Sequence, residues 1–397
     1  MLWFICFFNY ADRVAINSLL PELQKLYGFT KAQQGLISSA FTWLYAVSSP
    51  IAGHVGDRRS RKWVIIGGMY IWSMVTGFTA ACTRLWQFVA VRGAEGIGEA
   101  FYMPASMALI SDYHGPKTRS RAIGIHQTSI YAGTVFGSTV AAYLAKKYSW
   151  QVPFLFFAIA GCALGLLLSL FIRDRKRPQD EQGTEATPHL PVRQFLAEFA
   201  KTPTAVRLVA AYFFANIVQF IFLTWMPTFM KEKFGVSLVL AGFAGTFFIQ
   251  IFSMVGAAVG GVLADHHANK RKAGRIQFQM VAALAGAPFI FLCGYTTLPV
   301  LLVLAMSMYG FFKGIYDASL TASFYDVIAA PRRATSTGLM NFIGWIGAGL
   351  GAWMVGVAAD HRISMSISIS SAAVLYAMCA VFLAAAARTA AKDMLPA

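Results

Sequence analysis

Seven ionisable residues stand inside stretches that are otherwise apolar. They are Asp12 and Arg13, then Arg92, Glu95 and Glu99, then Lys313 and Asp317. A charged side chain at the centre of a bilayer costs roughly 3 kcal/mol even on the most lenient insertion scale, so each needs a reason to be there. Spacing supplies one reason. Arg92, Glu95 and Glu99 stand at i, i+3 and i+7, a single stripe of one helix, and Lys313 and Asp317 stand at i and i+4. Mutual pairing still leaves four carboxylates against three cations. A carboxyl without a counter-charge in a medium of low polarity is suited to take up and release a proton. The chemistry these residues point to is therefore proton transfer within a membrane. The competing reading is a set of static ion pairs that join helices, and it bears most on Arg92 and Glu95.

Further polar residues fall on the same apolar stretches and are candidates to line a substrate cavity: Asn9, Tyr10, Tyr102, His126, Gln127, Asn216, Gln219, Tyr316 and Asn341, together with Lys313 and Asp317. A tyrosine on a membrane helix often only packs and makes one local hydrogen bond. His126 could titrate near neutrality or sit as a hydrogen-bonded helix residue. Lys313 could attract a phosphate or carboxylate head group, or simply neutralise Asp317.

The elements that must hold these groups follow from composition. Of 397 residues, 57% are hydrophobic and 13% are charged, against roughly 25% charged in soluble domains. That excludes a soluble enzyme or binding module, a disordered chain and a disulfide scaffold. Twelve stretches are long enough to cross a membrane as helices: 2–23, 33–55, 63–82, 85–110, 121–145, 152–172, 206–230, 238–264, 276–295, 298–327, 335–359 and 364–388. Basic residues are spread unequally between the two sets of connections, 22 against 8. This predicts a multi-pass protein of the inner (plasma) membrane with both termini cytoplasmic. The net charge of +16 is explained in the same way, and nucleic acid is not an expected partner. No signal peptide is expected, because Asp12 and Arg13 interrupt the first apolar stretch. The five cysteines lie singly in apolar runs and read as small packing residues.

The segment 173–205 is rich in proline, glycine and charge and reads as a cytoplasmic linker, with a short amphipathic helix at 192–200. It divides the chain into bundles at 1–172 and 206–397, and these repeat. An offset of 214 pairs Gly96 with Gly310, Glu99 with Lys313, Tyr102 with Tyr316, Asp112 with Asp326 and Arg119 with Arg333. "PELQKLYGFT" at 21–30 is echoed by "PTFMKEKFGVS" at 227–237, and Gly53-x-x-x-Asp57 by Gly261-x-x-x-Asp265. The expected fold is an all-α membrane protein of twelve transmembrane helices in two pseudo-symmetric six-helix bundles, with substrate bound between them.

The segment "GHVGDRRSRK" (53–62) carries two glycines for close backbone approach, Asp57 as a hydrogen-bond acceptor and a basic cluster. Gly53, Asp57, Arg58, Arg61 and Lys62 read as a conformational latch, with a plain positive anchor as the alternative for the basic residues. With twelve spans and a central linker, this pattern resembles the major facilitator superfamily over essentially the whole chain. "NYADR" (9–13), "RGAEGIGEAFY" (92–102) and "RSRAIGI" (119–125) are similar to the Spinster branch, whose members carry lysolipids and sphingolipids coupled to protons. An anion:cation symporter branch shares the Asp-Arg pair and the "GEAFYMPA" stretch. The resemblance implies that Asp12 and Glu99 are protonation sites and that Arg13 and Arg92, with Glu95 beside them, are charge partners.

These readings predict a proton-coupled secondary transporter of an amphipathic lipid such as a lysophospholipid, working by alternating access and acting as a monomer. Its partners are the substrate, protons and membrane lipids. The alternatives are a proton-coupled symporter of small organic anions that uses Arg13 and Arg92 as an anion clamp, and a non-transporting receptor or scaffold. No phosphate-binding loop, zinc-protease motif or nucleophile elbow occurs, and His266-His267 does not make a metal site. No enzyme activity, cofactor or metal is expected.

Overall fold

The computed structural model describes residues 1–114, 116–172, 192–271, 273–329 and 332–394. The described residues are helical almost throughout. The first-half helices are α1 (Leu2–Tyr27), α2 (Lys31–Arg58), α3 (Arg61–Thr79), α4 (Leu85–Ala100), α5 (Tyr102–Tyr113), α6 (Pro116–Lys147) and α7 (Val152–Phe171). A short α8 (Val192–Phe199) follows. The second half contains α9 (Pro203–Phe234), α10 (Leu238–Lys270), α11 (Gly274–Tyr295), α12 (Pro299–Tyr325), α13 (Arg333–Asp360) and α14 (Met365–Asp393). Among the described residues, α7 and α9 to α14 contribute seven helices that are long and apolar enough to cross a membrane. The short helix expected at 192–200 is α8, and the rest of the expected linker up to residue 191 lies outside the described residues.

Local sequence sets the helix ends. α1 stops at Gly28 and α9 at Gly235, both in the left-handed region at φ 67° and 64°, where a side chain is disfavoured. These two glycines close the matching halves of the repeated segments that begin at Pro21 and Pro227. Thr30 opens α2 with a capping box: its hydroxyl accepts from the Gln33 N–H at 3.3 Å, and the Gln33 side chain accepts from the Thr30 N–H at 3.1 Å. The fourth expected span, 85–110, is not one helix. It breaks at Phe101 into α4 and α5. Pro104 accounts for the break, because it offers no N–H to the Ala100 carbonyl and its ring crowds that carbonyl.

The chain packs as two compact units. One comprises Met1–Thr184, Phe222–Phe247 and Ala352–His361, and the other Glu185–Ile221, Phe248–Gly351 and Arg362–Ala397. In the first unit α1 lies along α6, α2 along α4 and α3 along α7. Backbone contact there depends on glycine: a Cβ at Gly137 would lie 2.0 Å from the Ala11 carbonyl oxygen, and one at Gly96 would lie 2.3 Å from that of Phe41. The same unit holds Asp360, whose carboxylate accepts from the N–H groups of Lys31 and Ala32 at 2.9 and 3.0 Å and so caps α2 a second time. Lys31 also pairs with Glu232, and Lys231 with Glu22 at 2.8 Å. In the second unit α11 packs between α12 and α14, and Arg275 bridges Asp265 and Asp326 at 2.9 Å each.

Candidate functional site

The intramembrane charges of the first half meet where α1, α2 and α4 run together. The helical repeat of α1 places Asn9 and Arg13 on one stripe, four residues apart, with Asp12 beside them. α4 presents Arg92, Glu95 and Glu99 from its own stripe. All five charged residues are between 1% and 4% exposed, so water offers them little compensation and their partners must do so.

Two of the three carboxylates have such partners. Arg13 donates from Nε and Nη2 to Glu99 Oε2 at 2.8 and 2.5 Å, and from Nη2 to Asn9 Oδ1 at 3.1 Å. Arg92 donates from Nη1 to Glu95 Oε2, and from Nη2 to the main-chain carbonyl of Arg13 at 3.0 Å. The Arg92 contact with the α1 backbone ties the stripe of α4 to the turn that carries Asp12. Asp12 itself forms no ion pair among the described residues. A carboxylate oxygen from each of Asp12, Glu95 and Glu99 lies within 4.8 Å of the other two. Asp12 Oδ1, Glu95 Oε1 and Glu99 Oε1 are buried without a hydrogen-bond partner. The excess carboxylate counted from the sequence is therefore Asp12. Three acids and two guanidiniums leave one negative charge uncompensated. A single proton cancels it, whereas a divalent metal would overshoot.

Two aromatic residues complete the site, and neither is distinguishable in the sequence from ordinary membrane-facing wall. The guanidinium carbon of Arg13 lies 4.3 Å from the centroid of Tyr10, 4.8 Å from that of Phe41 and 5.3 Å from that of Tyr45. The guanidinium carbon of Arg92 lies 4.8 Å from the same Phe41 ring. Phe41 and Tyr45 are i and i+4 on α2, and their rings stack with centroids 5.9 Å apart.

The other expected site residues separate into groups. Asn9 is buried and serves Arg13. Tyr102 is buried with its hydroxyl 2.7 Å from the Leu2 carbonyl and 2.8 Å from Nε2 of the buried His126, which ties α5, α6 and the start of α1 together. Gln127 is exposed. Asn216, Gln219, Lys313, Tyr316, Asp317 and Asn341 belong to the second unit. There, Lys313 donates to Asp317 at 2.6 Å, the i, i+4 pair read from the sequence. Asn216 donates back to the Tyr212 carbonyl at 2.8 Å. Tyr316 is buried, while Gln219 and Asn341 are half-buried. Of the expected latch, Arg61 donates to the Ala108 carbonyl at 3.1 Å and Lys62 lies over Trp63 at 5.4 Å. The side chains at Gly53, Asp57 and Arg58 lie outside the described residues.

A family model described as the major facilitator superfamily matches residues 2–352. The chain belongs to the major facilitator superfamily. Like its relatives in that superfamily it is a multi-pass membrane transporter and not an enzyme. Its fold is similar to that of a bacterial homologue of the human lysosomal transporter Spinster, solved in an inward-facing and unoccupied conformation. The TM-score is 0.84 at 19% identity, covering 100% of this chain and 97% of that one. Protein spinster homolog 1 of Homo sapiens is 28% identical over 243 residues, 59% of this chain and 45% of the human protein. The hexuronate transporter of Bacillus subtilis is 24% identical over 366 residues, 89% of this chain and 85% of that protein. Among major facilitator transporters, the chain resembles the Spinster branch.

Proposed function

We propose that this chain is a proton-coupled secondary transporter of an amphipathic lipid, a lysophospholipid or sphingoid-like molecule, and that Asp12 is the residue that takes the proton. The protein crosses the inner membrane twelve times with both termini in the cytoplasm, and its two six-helix halves alternate in access. The observation that carries the reading is the unpaired Asp12 carboxylate, 4.8 Å or less from two carboxylates that are each already held by an arginine. With all five groups ionised the site bears one net negative charge, which is costly to enclose. With one proton bound it is neutral. States that differ in how completely they enclose this site differ in proton affinity, and that difference couples a proton gradient to rocking of the halves.

The lipid is favoured over a small organic anion by the state of the arginines. Arg13 is paired with Glu99 and Arg92 with Glu95, so an anionic substrate would have to compete with a buried carboxylate for either guanidinium. The anion reading draws on the hexuronate transporter's likeness over 89% of the chain. Flux into proteoliposomes under an imposed pH gradient separates the two. The reading expects gradient-driven movement of lysophosphatidylcholine and none of glucuronate, with the drive abolished by Asp12→Asn. Glucuronate flux would move the substrate to the anion class, and a pH-independent flux would remove proton coupling.

A further inference from the structure

Phe41 is an apolar residue placed where a charged site has no evident need of one. Its ring is shared by two like-charged groups: the guanidinium carbons of Arg13 and Arg92 both stand 4.8 Å from its centroid. Two buried cations brought this close repel one another, and each would be drawn to the bare carboxylate of Asp12. Neither goes there. The negative face of an aromatic ring offers a cation electrostatic attraction without a full charge and without a proton to exchange. The backbone that carries the ring is packed closely against α4. Gly96 lies on α4 between Glu95 and Glu99, and its lack of a side chain lets α4 approach the Phe41 carbonyl so closely that a Cβ would stand 2.3 Å from it. Tyr45 stacks one helical turn further along α2. Phe41 is 1% exposed, so water cannot replace the ring as a partner for either arginine.

We propose that Phe41 is a positioning residue for proton coupling: its ring pins both guanidiniums over α2, aimed at Glu95 and Glu99, and so keeps Asp12 free to exchange a proton. The idea rests on the reading that Asp12 is the proton carrier. The charged groups facing Asp12 are Arg13 on its own helix and Arg92, Glu95 and Glu99 on α4, while Tyr10 and Tyr45 face Arg13 from α1 and α2. Loss of the ring gives an arginine a reason to swing onto Asp12. The site would then titrate as a neutral set of pairs with a different carboxylate left over.

The test is infrared titration of the carboxylic-acid carbonyl band of the purified full-length protein, with no substrate added. Wild type and Asp12→Asn are compared with Phe41→Leu, which keeps an apolar side chain, and Phe41→Tyr, which keeps the ring. The reading beneath the proposal requires a titrating band in wild type that Asp12→Asn removes; its absence sinks that reading, whatever the Phe41 variants do. Given that band, the proposal expects its midpoint to move by about one pH unit in Phe41→Leu, about a tenfold change in proton affinity for the loss of the two cation–ring contacts, and to stay at the wild-type value in Phe41→Tyr. Overlaid profiles for Leu and wild type overturn it. So does an equal shift in both variants, because the tyrosine retains the face. Should Phe41→Leu fail to fold, Phe41→Met serves in the same comparison.

Discussion

Replacing Asp12 with asparagine changes the charge of the buried site by one and its shape hardly at all. The structure gives the size of the change. Two unit charges no more than 4.8 Å apart in surroundings of effective dielectric about 20 interact by about 3.5 kcal/mol or more. Ionised Asp12 beside either glutamate alone would meet a repulsion of this order; the two arginines offset much of it, and what remains is the cost of enclosing one uncompensated charge away from water. A proton relieves it, and so does the neutral amide of asparagine. The variant should therefore fold at least as stably as wild type, and its site should be permanently in the proton-loaded condition. In proteoliposomes with the membrane potential clamped, a pH difference of one unit is worth about 1.4 kcal/mol per proton. One proton per uncharged substrate then sustains roughly tenfold accumulation. Asp12→Asn should equilibrate substrate to a ratio of one, while exchange of labelled for unlabelled substrate continues. Tenfold accumulation by Asp12→Asn, with normal folding, would refute the assignment of the proton to this residue.

Glu99→Gln should behave differently, although it also removes one negative charge. It leaves an amide oxygen that can still accept from Arg13 but removes the charge of a buried ion pair, at a cost of about 3 kcal/mol that a thermal unfolding series would register and Asp12→Asn would not show. Gly96→Ala places a methyl group 2.3 Å from the Phe41 carbonyl. It should destabilise the protein by about 1–3 kcal/mol and disturb the infrared carboxyl band, whereas Gly124→Ala, with open space around it, should do neither. Asp360→Ala removes the second cap of α2 and should raise hydrogen exchange at the Lys31 and Ala32 amides about tenfold, the loss of a charge-assisted bond. Unchanged exchange there would show that Thr30 alone secures the helix start.

Charges in apolar runs and their helical spacing were enough to locate the site and to count its excess carboxylate. The pairings within one helix, Arg92 with Glu95 and Lys313 with Asp317, followed from i, i+3 and i, i+4 geometry. The pairing across helices did not, because nothing in the spacing says that Arg13 reaches Glu99 and leaves its neighbour Asp12 bare. Phe41 was hidden for a related reason. In a chain where 14% of residues are aromatic, a ring that faces two arginines reads like one that faces lipid. The break at Phe101 was legible in principle from Pro104, but an apolar run of full membrane length outweighed it. The contact between Tyr102 and His126, both buried and 2.8 Å apart, is likewise one between helices that spacing along the chain does not give.

The clasp between Asp360 and the start of α2 has a consequence for anyone mapping this protein by mutagenesis. Its two donors are main-chain amides, so no exchange of side chain at Lys31 or Ala32, short of proline, deletes them. An alanine scan of that helix would pass over the fastening in silence, and its whole genetic signature falls on a single aspartate more than three hundred positions away.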